Sequence, residues 1–193
     1  MAEIEWLAAR IRNKTSLKVE TVSGWKDRGR PASTGTFNPR GVLVHHTAFP
    51  ASKSNPHPGL NTVINGRSDL PGPLCHVLLD FNGVCHIVAS GRANHAGVAQ
   101  ASGPMPAGDG NSLYIGIEID YDPRVQAASA AQRNAIPVLA AVLVTRLGNG
   151  RNFVRAHKET SVTGKVDPQR LTSMSNLRDL VGTNIKLHPD WKS

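Results

Sequence analysis

Two histidines and one aspartate are the residues of this sequence with the clearest chemical potential. His45 opens a His-His-Thr run, while His157 and Asp167 lie ten positions apart in the last fifth of the chain. Two imidazoles and one carboxylate form a zinc ligand set that leaves one coordination position for water. A water at that position becomes a nucleophile near neutral pH, because the metal lowers its pKa to about 7. The pattern predicts a zinc hydrolase, with Lys165 as a cation two residues before the aspartate.

Both candidate histidines are expected at the ends of strands. The apolar run 41–45 is typical of a buried strand that ends at His45, and the run 153–156 is typical of a short strand that delivers His157. Sites built from strand ends combine a rigid scaffold with variable loops. Any one of the eight histidines, taken alone, is more often a surface residue or a hydrogen-bonded core residue. The inference therefore depends on the whole set.

A third strand is predicted from the alternating pattern of residues 114–120. Ile115, Ile117 and Ile119 fall on one face of this strand, because successive side chains of a strand point to opposite sides. Glu118 therefore falls on the face opposite the isoleucines, where it is available to a site.

The other elements predict an α/β fold. A helix over 130–147 is indicated by a capping box of Ser129 and Gln132, with Pro137 as an interior proline that removes one backbone donor. Helices and strands mixed in this order predict a single α/β domain with a central mixed β-sheet flanked by helices. The remaining predicted elements are helices over 4–11, 60–64 and 175–182 and hairpin strands over 74–80 and 84–89.

The two cysteines are predicted to be free thiols. Asn82-Gly83 is a strong hairpin signal, and a two-residue turn there places Cys85 opposite Asp80. Cys75 then lies five positions further along the partner strand, about 17 Å away and beyond disulfide reach. Free thiols suit synthesis in a reducing compartment.

Composition bounds the classes of protein. The chain has 193 residues, of which 39% are hydrophobic and 19% charged, and its apolar runs fall short of the roughly 20 residues of a membrane helix. An acidic start, in place of the basic and apolar segments of a signal peptide, predicts cytoplasmic synthesis without secretion by the general pathway.

The net charge of +8 favours an anionic partner: nucleic acid, a membrane surface or an acidic cell-wall polymer. The basic residues are dispersed, and only three Trp, two Tyr and four Phe are available to stack on bases. This pattern argues against specific nucleic-acid binding. A loosely basic, solvated surface is the plainer interpretation.

Four ordered motifs resemble the zinc-dependent N-acetylmuramoyl-L-alanine amidases of the type-2 amidase and peptidoglycan-recognition-protein superfamily, and among them the phage endolysins that attack actinobacterial walls. The resemblance covers about residues 40–182. The motifs are Val44-His-His-Thr-Ala48, Gly91-Arg-Ala-Asn-His-Ala-Gly97, Asn111-Ser-Leu-Tyr-Ile-Gly-Ile-Glu118, and Ala156-His157 with Lys165 and Asp167.

The resemblance implies a role for each matched residue. His45, His157 and Asp167 match the zinc ligands of the branch that uses aspartate as its third ligand. Glu118 matches the general base, and Lys165 matches the lysine that stabilises the transition state. His46, the neighbour of the first ligand, is expected to have a structural role or to support the ligands.

The sequence departs from the family in two pairs. Cys75-His76 stands where many members have Tyr-His, which leaves Lys165 to stabilise the oxyanion; Cys75 is expected to be a packing cysteine, with a fourth zinc ligand as the alternative. Asn94-His95 stands where Trp-His is common. Both are predicted to contact substrate, with a structural role in the loop as the alternative.

The expected activity is hydrolysis of the amide bond between N-acetylmuramic acid and L-alanine of the peptidoglycan stem peptide. The expected organisation is an N-terminal extension over 1–39 packed on the domain, a catalytic domain over 40–182 and a tail over 183–193. We expect a Zn²⁺-dependent monomer that acts on the cell wall after release from the host, with anionic wall polymers as further partners and neither specific nucleic acid nor membrane. The alternatives are a non-catalytic peptidoglycan-binding module and a nucleic-acid-associated hydrolase.

Overall fold

A six-stranded sheet forms the centre of the molecule in the computed structural model, which describes residues 4–192. The helices are α1 (Leu7–Lys14), α2 (Leu60–Asn65), α3 (Gly110–Leu113), α4 (Ala130–Arg146), α5 (His157–Thr160) and α6 (Met174–Leu187). The strands are β1 (Val19–Thr21), β2 (Gly41–His46), β3 (Gly66–Arg67), β4 (Leu70–Pro71), β5 (Val77–Leu79), β6 (Cys85–Ile87), β7 (Val98–Ala99), β8 (Gly108–Asp109), β9 (Tyr114–Ile119) and β10 (Val154–Ala156).

The central sheet is mixed. Its strand order is β1-β6-β5-β9-β2-β10, with β5 and β6 antiparallel and every other pair parallel. The pairing of β2 with β9 places His45 opposite Glu118, and the pairing of β10 with β2 places Ala156 opposite Val44. The predicted α/β domain with a central mixed sheet flanked by helices is therefore confirmed.

The two faces of this sheet differ in chemistry. Ile115, Ile117 and Ile119 of β9 are all buried in the main apolar core, as their alternation predicted. Helix α4 packs against β2, α1 and α6 on this side. Glu118 points to the other face, so the same alternation that builds the core also delivers a carboxylate away from it.

Helix α4 is held at its start by the predicted capping box. The Ser129 hydroxyl accepts from the Gln132 backbone N–H, and the Gln132 side chain accepts from the Ser129 backbone N–H. Pro137 lies inside the helix, which continues unbroken to Arg146. Because the helix is buried over most of its surface, tertiary packing outweighs the lost backbone donor.

The hairpin turn is one residue longer than predicted. Leu79, rather than Asp80, pairs with Cys85, and Gly83 adopts a φ of 83°. The Asp80 carboxylate accepts from the backbone N–H groups of Asn82 and Val84, which stabilises the longer turn. Both cysteines are buried free thiols, as predicted.

The ends of the chain are more regular than predicted. The first helix begins at Leu7 rather than Ile4, and the segment after it, for which no element was predicted, contains β1, which pairs with β6 at the edge of the sheet. The last helix continues to Leu187, five residues beyond the predicted end at Gly182, and Trp191 after it is buried. None of the helices in the described part of the chain has the length and apolar character to cross a membrane.

Candidate functional site

Three predicted side chains meet at the ends of β2 and β10. His45 Nδ1 lies 3.1 Å from His157 Nδ1 and 3.0 Å from Asp167 Oδ2, and His157 Nδ1 lies 3.2 Å from the same carboxylate oxygen. All three residues are at least nine-tenths buried, with exposures of 1%, 7% and 9%. Within residues 4–192 they form the one cluster of histidine, cysteine and acidic side chains that could hold a metal ion.

The donor set fits zinc. Ligands at about 2.0–2.1 Å from a tetrahedral ion lie about 3.3 Å from one another, which matches the observed separations of 3.0, 3.1 and 3.2 Å. Two imidazole nitrogens and one carboxylate oxygen also form a set of three protein ligands that leaves a fourth position open.

The backbone holds the second and third members of this set together. His157 is the first residue of α5, directly after β10, and the Lys158 N–H donates to the Asp167 carbonyl over 2.9 Å. The Glu159 carboxylate accepts from the Ala156 N–H over 2.9 Å and pairs with Arg178. The intervening loop is therefore closed at its base, so His157 and Asp167 keep their separation.

The protonation of the cluster suits metal binding. Burial opposes the charged form of Asp167, but hydrogen bonds with His157 and His45 outweigh it and hold the pKa of this carboxyl well below its usual range. Burial lowers the pKa of His45 against the opposing effect of Asp167. A carboxylate beside a neutral imidazole is the form in which these groups bind a metal.

Glu118 lies beside this cluster with an unsatisfied oxygen. Its Oε2 is buried and has no hydrogen-bond partner among the described residues. Burial, followed by the nearby Asp167 and Asp120 carboxylates, raises the pKa of Glu118 well above its ordinary value. A carboxyl group with a raised pKa and a free oxygen at a cavity has the properties of a general base.

Lys165 reaches the same cavity from an exposed loop. The Ser161 hydroxyl accepts from the backbone N–H groups of Thr163 at 3.0 Å and of Lys165 at 3.3 Å, which fixes the loop backbone. The backbone of Lys165 is thus held in place beside the cavity that the residue lines.

Asn94 and His95 line the cavity but also have partners within the protein. Asn94 Nδ2 donates to the Pro71 carbonyl over 2.8 Å, which ties this loop to β4. His95 Nδ1 lies 3.0 Å from His45 Nε2, and His95 Nε2 lies 3.3 Å from the Tyr114 carbonyl. His46, beside the first ligand candidate, accepts from the Gln169 N–H over 3.2 Å and lies outside the cluster.

Cys75 is not part of the metal cluster found among residues 4–192. It is fully buried in a second apolar cluster with Val63, Leu78 and Val88. Burial, with a smaller effect of Glu118, raises the pKa of the thiol well above its ordinary value, so it stays protonated. Of the two interpretations of Cys75, packing in the core fits this environment and metal ligation does not.

The cavity has a volume of about 570 Å³. Arg67 on the β3–β4 hairpin lines one side, and Val98 and Val162, which are 67% and 56% exposed, lie at its rim. Sequence reasoning missed these three residues. The β3–β4 and β7–β8 pairs that carry two of them have only two residues in each strand, too few for a periodic signal.

A family model for N-acetylmuramoyl-L-alanine amidase matches residues 35–170 of the chain. Among curated proteins, none is similar enough in sequence to count as a relative.

Several solved structures share the fold. PlyL is 20% identical with a TM-score of 0.62, over 88% of this chain and 99% of that chain. The Staphylococcus aureus hydrolase AmiA, solved in complex with its ligand, is 18% identical with a TM-score of 0.60, over 94% of this chain and 89% of its own. The N-acetylmuramoyl-L-alanine amidase LysC from Clostridium intestinale URNW is 15% identical with a TM-score of 0.57, over 85% of this chain and 97% of its own. At these identities the likeness is one of fold.

Proposed function

The chain belongs to the N-acetylmuramoyl-L-alanine amidase family, and on that basis we propose that it is a zinc-dependent peptidoglycan hydrolase. Its substrate is the amide bond between the lactyl group of N-acetylmuramic acid and L-alanine of the stem peptide. The convergence of two histidine Nδ1 atoms and one aspartate oxygen within 3.2 Å of one another carries this proposal. A set of three protein ligands that lines a cavity suits a hydrolytic metal better than a purely structural one.

The proposed ligands are His45, His157 and Asp167. These residues would hold a zinc ion, which would supply Lewis-acid activation of water and of the amide carbonyl. Glu118, whose Oε2 lacks a partner among the described residues, accepts the proton of the attacking water and returns it to the departing amine. Its raised pKa brings the carboxyl closer to neutral pH, where a base and its conjugate acid are both accessible.

Lys165 is proposed to stabilise the oxyanion. Lys165 is among the residues that line the cavity, and a preorganised positive charge near the carbonyl oxygen, where negative charge develops, is a large contributor to catalysis. Cys75 offers no phenolic hydroxyl for the same task, and its thiol is packed in an apolar cluster. Cys75 therefore does not share this task with Lys165.

The biological setting is also proposed. Residues 40–182 are taken as the catalytic domain, residues 1–39 as an N-terminal extension packed on it and residues 183–193 as a C-terminal tail. For residues 1–3 and 193 this assignment lies outside the described part of the chain. The proposed protein is a monomeric phage endolysin that acts on the wall after cytoplasmic synthesis. The net charge of +8 supports contact with anionic wall polymers.

The test is digestion of purified peptidoglycan by zinc-loaded and by chelator-treated protein. We expect zinc-dependent release of new L-alanine amino termini, quantified by end-group labelling, and no new reducing sugar ends. Glu118→Gln is the matched control: it should retain zinc while turnover falls on the order of 10²-fold or more.

Two outcomes would favour other functions. Protein that binds zinc and sediments with the wall but releases no amino termini is a binding module. Tight, strongly salt-dependent DNA affinity would support a nucleic-acid-associated hydrolase instead. Failure to bind zinc at all would overturn the ligand assignment.

A further inference from the structure

His95 is not in the metal cluster but contacts one of its members, His45. The two rings meet edge to face with centroids 5.2 Å apart, and His95 Nδ1 lies 3.0 Å from His45 Nε2. The other nitrogen of His95 lies 3.3 Å from the backbone carbonyl of Tyr114. Both ring nitrogens of His95 therefore have partners within the protein.

The Tyr114 carbonyl fixes the direction of this chain of hydrogen bonds. A carbonyl oxygen only accepts, so His95 Nε2 must carry a proton. The two rings share one contact, between His45 Nε2 and His95 Nδ1. For His45 Nδ1 to bind a metal, its lone pair must face His157 and Asp167, so the proton of the neutral His45 ring lies on Nε2. His45 Nε2 then donates to His95 Nδ1, which accepts.

We propose that His95 is a positioning residue that holds His45 as the Nε2-protonated tautomer and aims its Nδ1 at the metal position. This inference rests on the zinc-binding part of the proposed function. It assigns His95 a task other than substrate contact, since neither of its ring nitrogens is left for a substrate. Metal-bound histidines generally depend on such a partner for their orientation.

A glycine in β9 makes room for this arrangement. A Cβ added at Gly116 would lie 2.6 Å from His95 Nδ1 and 2.8 Å from its Cγ, closer than real Cβ contacts allow. The His95 ring therefore occupies the space beside β9 that a side chain at this position would need.

The backbone around His95 is also fixed. The buried Asn111 side chain accepts from the N–H groups of His95, Ala96 and Gly97, at 2.8, 2.7 and 3.3 Å. One amide oxygen thus holds the backbone of three successive residues. Because this backbone has little freedom to move, the position of the His95 ring is restricted as well.

The test compares one substitution that keeps a ring with one that keeps a hydrogen-bond acceptor. His95→Phe keeps a ring but removes the acceptor, whereas His95→Asn places an amide oxygen where Nδ1 was. We expect zinc affinity, measured by competition with a chelating dye, to fall about 10- to 100-fold in His95→Phe and to be largely restored in His95→Asn. His188→Phe, an exposed position far along the chain, is the control and should match the wild type.

A spectroscopic readout separates positioning from a general structural role. In the zinc-loaded wild type, the His45 Nε2 proton should appear in NMR as a slowly exchanging downfield signal. This signal should be lost in His95→Phe and retained in His95→Asn. Equal zinc affinity in all three proteins, or equal loss in both folded variants, would overturn the proposal.

Gly116→Ala provides the second route if His95→Phe fails to fold. This substitution keeps the His95 side chain, but the added methyl group displaces its ring from His45. Zinc affinity should therefore also fall about 10- to 100-fold. Unchanged affinity in a folded Gly116→Ala protein would also overturn the proposal. Absence of zinc binding in the wild type would instead overturn the proposed function, so the two failures are distinguishable.

Discussion

The two faces of the central sheet show how one set of strands serves two purposes. On β9, Ile117 is fully buried in the apolar core, while the next residue, Glu118, faces the cavity with an oxygen that has no partner among the described residues. On β2, Val44 belongs to the same core and His45 to the metal cluster. Adjacent positions differ this sharply because side chains alternate along a strand.

The difference teaches where stability and function reside. The apolar face gains free energy by removing hydrocarbon from water, whereas the polar face carries groups whose interactions within the protein are incomplete. A slip of one residue in the register between β2 and β9 would exchange the faces and place Glu118 in the core. The core face therefore fixes the register, and the site face depends on it.

Loss of the carboxylate ligand should have the largest effect on function. Asp167→Ala leaves two histidines, and we expect neither zinc binding nor turnover to be detectable. Zinc content by mass spectrometry and amino-terminus release measure the two results. An Asp167→Ala protein that still binds zinc and is active would contradict the assignment of Asp167 as a ligand. It would also show that the polar face of the sheet does not carry the function.

Removal of the cation should have the next largest effect. Lys165→Ala should lower turnover by about 10²-fold, the cost of losing one oxyanion-stabilising group, while KM changes little. Lys158→Ala is the matched control, because its ammonium donates to the Pro168 carbonyl over 3.5 Å rather than lining the cavity. An effect of Lys165→Ala on KM alone would argue for binding rather than transition-state stabilisation.

A substitution on the core face should lower the stability of the protein and leave its turnover unchanged. Ile117→Ala should lower the free energy of unfolding by about 2–5 kcal/mol, and the milder Ile117→Val by about 0.5–1.5 kcal/mol. Urea unfolding of the metal-free protein measures both. Turnover per folded, zinc-loaded molecule should stay near that of the wild type; a large loss would show that the two faces are less independent than their contacts indicate.

The smallest expected effect is an increase in the free energy of unfolding when Glu118, on the site face, is replaced by glutamine. Because the pKa of Glu118 is raised in the folded protein, its ionisation disfavours folding, and stability is lost as pH rises through the folded pKa. Glu118→Gln removes this loss. Its advantage should be near zero at about pH 4, the ordinary range for a glutamate, and should grow to about 1–3 kcal/mol above the raised pKa.

This last measurement requires metal-free protein with chelator present, followed by urea unfolding at several pH values. An advantage that does not change with pH, or that shrinks as pH rises, would show that burial of the Glu118 carboxylate carries no cost in this fold.

The sequence predicted those parts of the molecule that depend on periodicity and residue type. The alternation of Ile115, Ile117 and Ile119 assigned Glu118 to the opposite face, and the structure places it there. The apolar run at 41–45 predicted the strand that carries His45 to the cluster. Both inferences depend only on neighbouring residues.

Features that depend on distant partners were not predictable. Strand β1 spans three residues with one apolar side chain, and it exists because β6 offers it a free edge. The hairpin register depends on two hydrogen bonds of the Asp80 side chain. The role proposed for His95 depends on the Tyr114 carbonyl, which lies 19 positions away in sequence and only 3.3 Å away in space.

Strand β1 has a practical consequence for producing this protein in pieces. A fragment trimmed to the matched residues 35–170 would lose α1, β1 and α6. The backbone of Cys85–Ile87 would then lie at an open sheet edge, and Leu7, Ile11 and Leu177 would no longer cover the core. Open edges and uncovered apolar surface promote aggregation. Soluble yield should therefore fall when the boundary is moved from before Leu7 to residue 35, although every proposed catalytic residue would still be present.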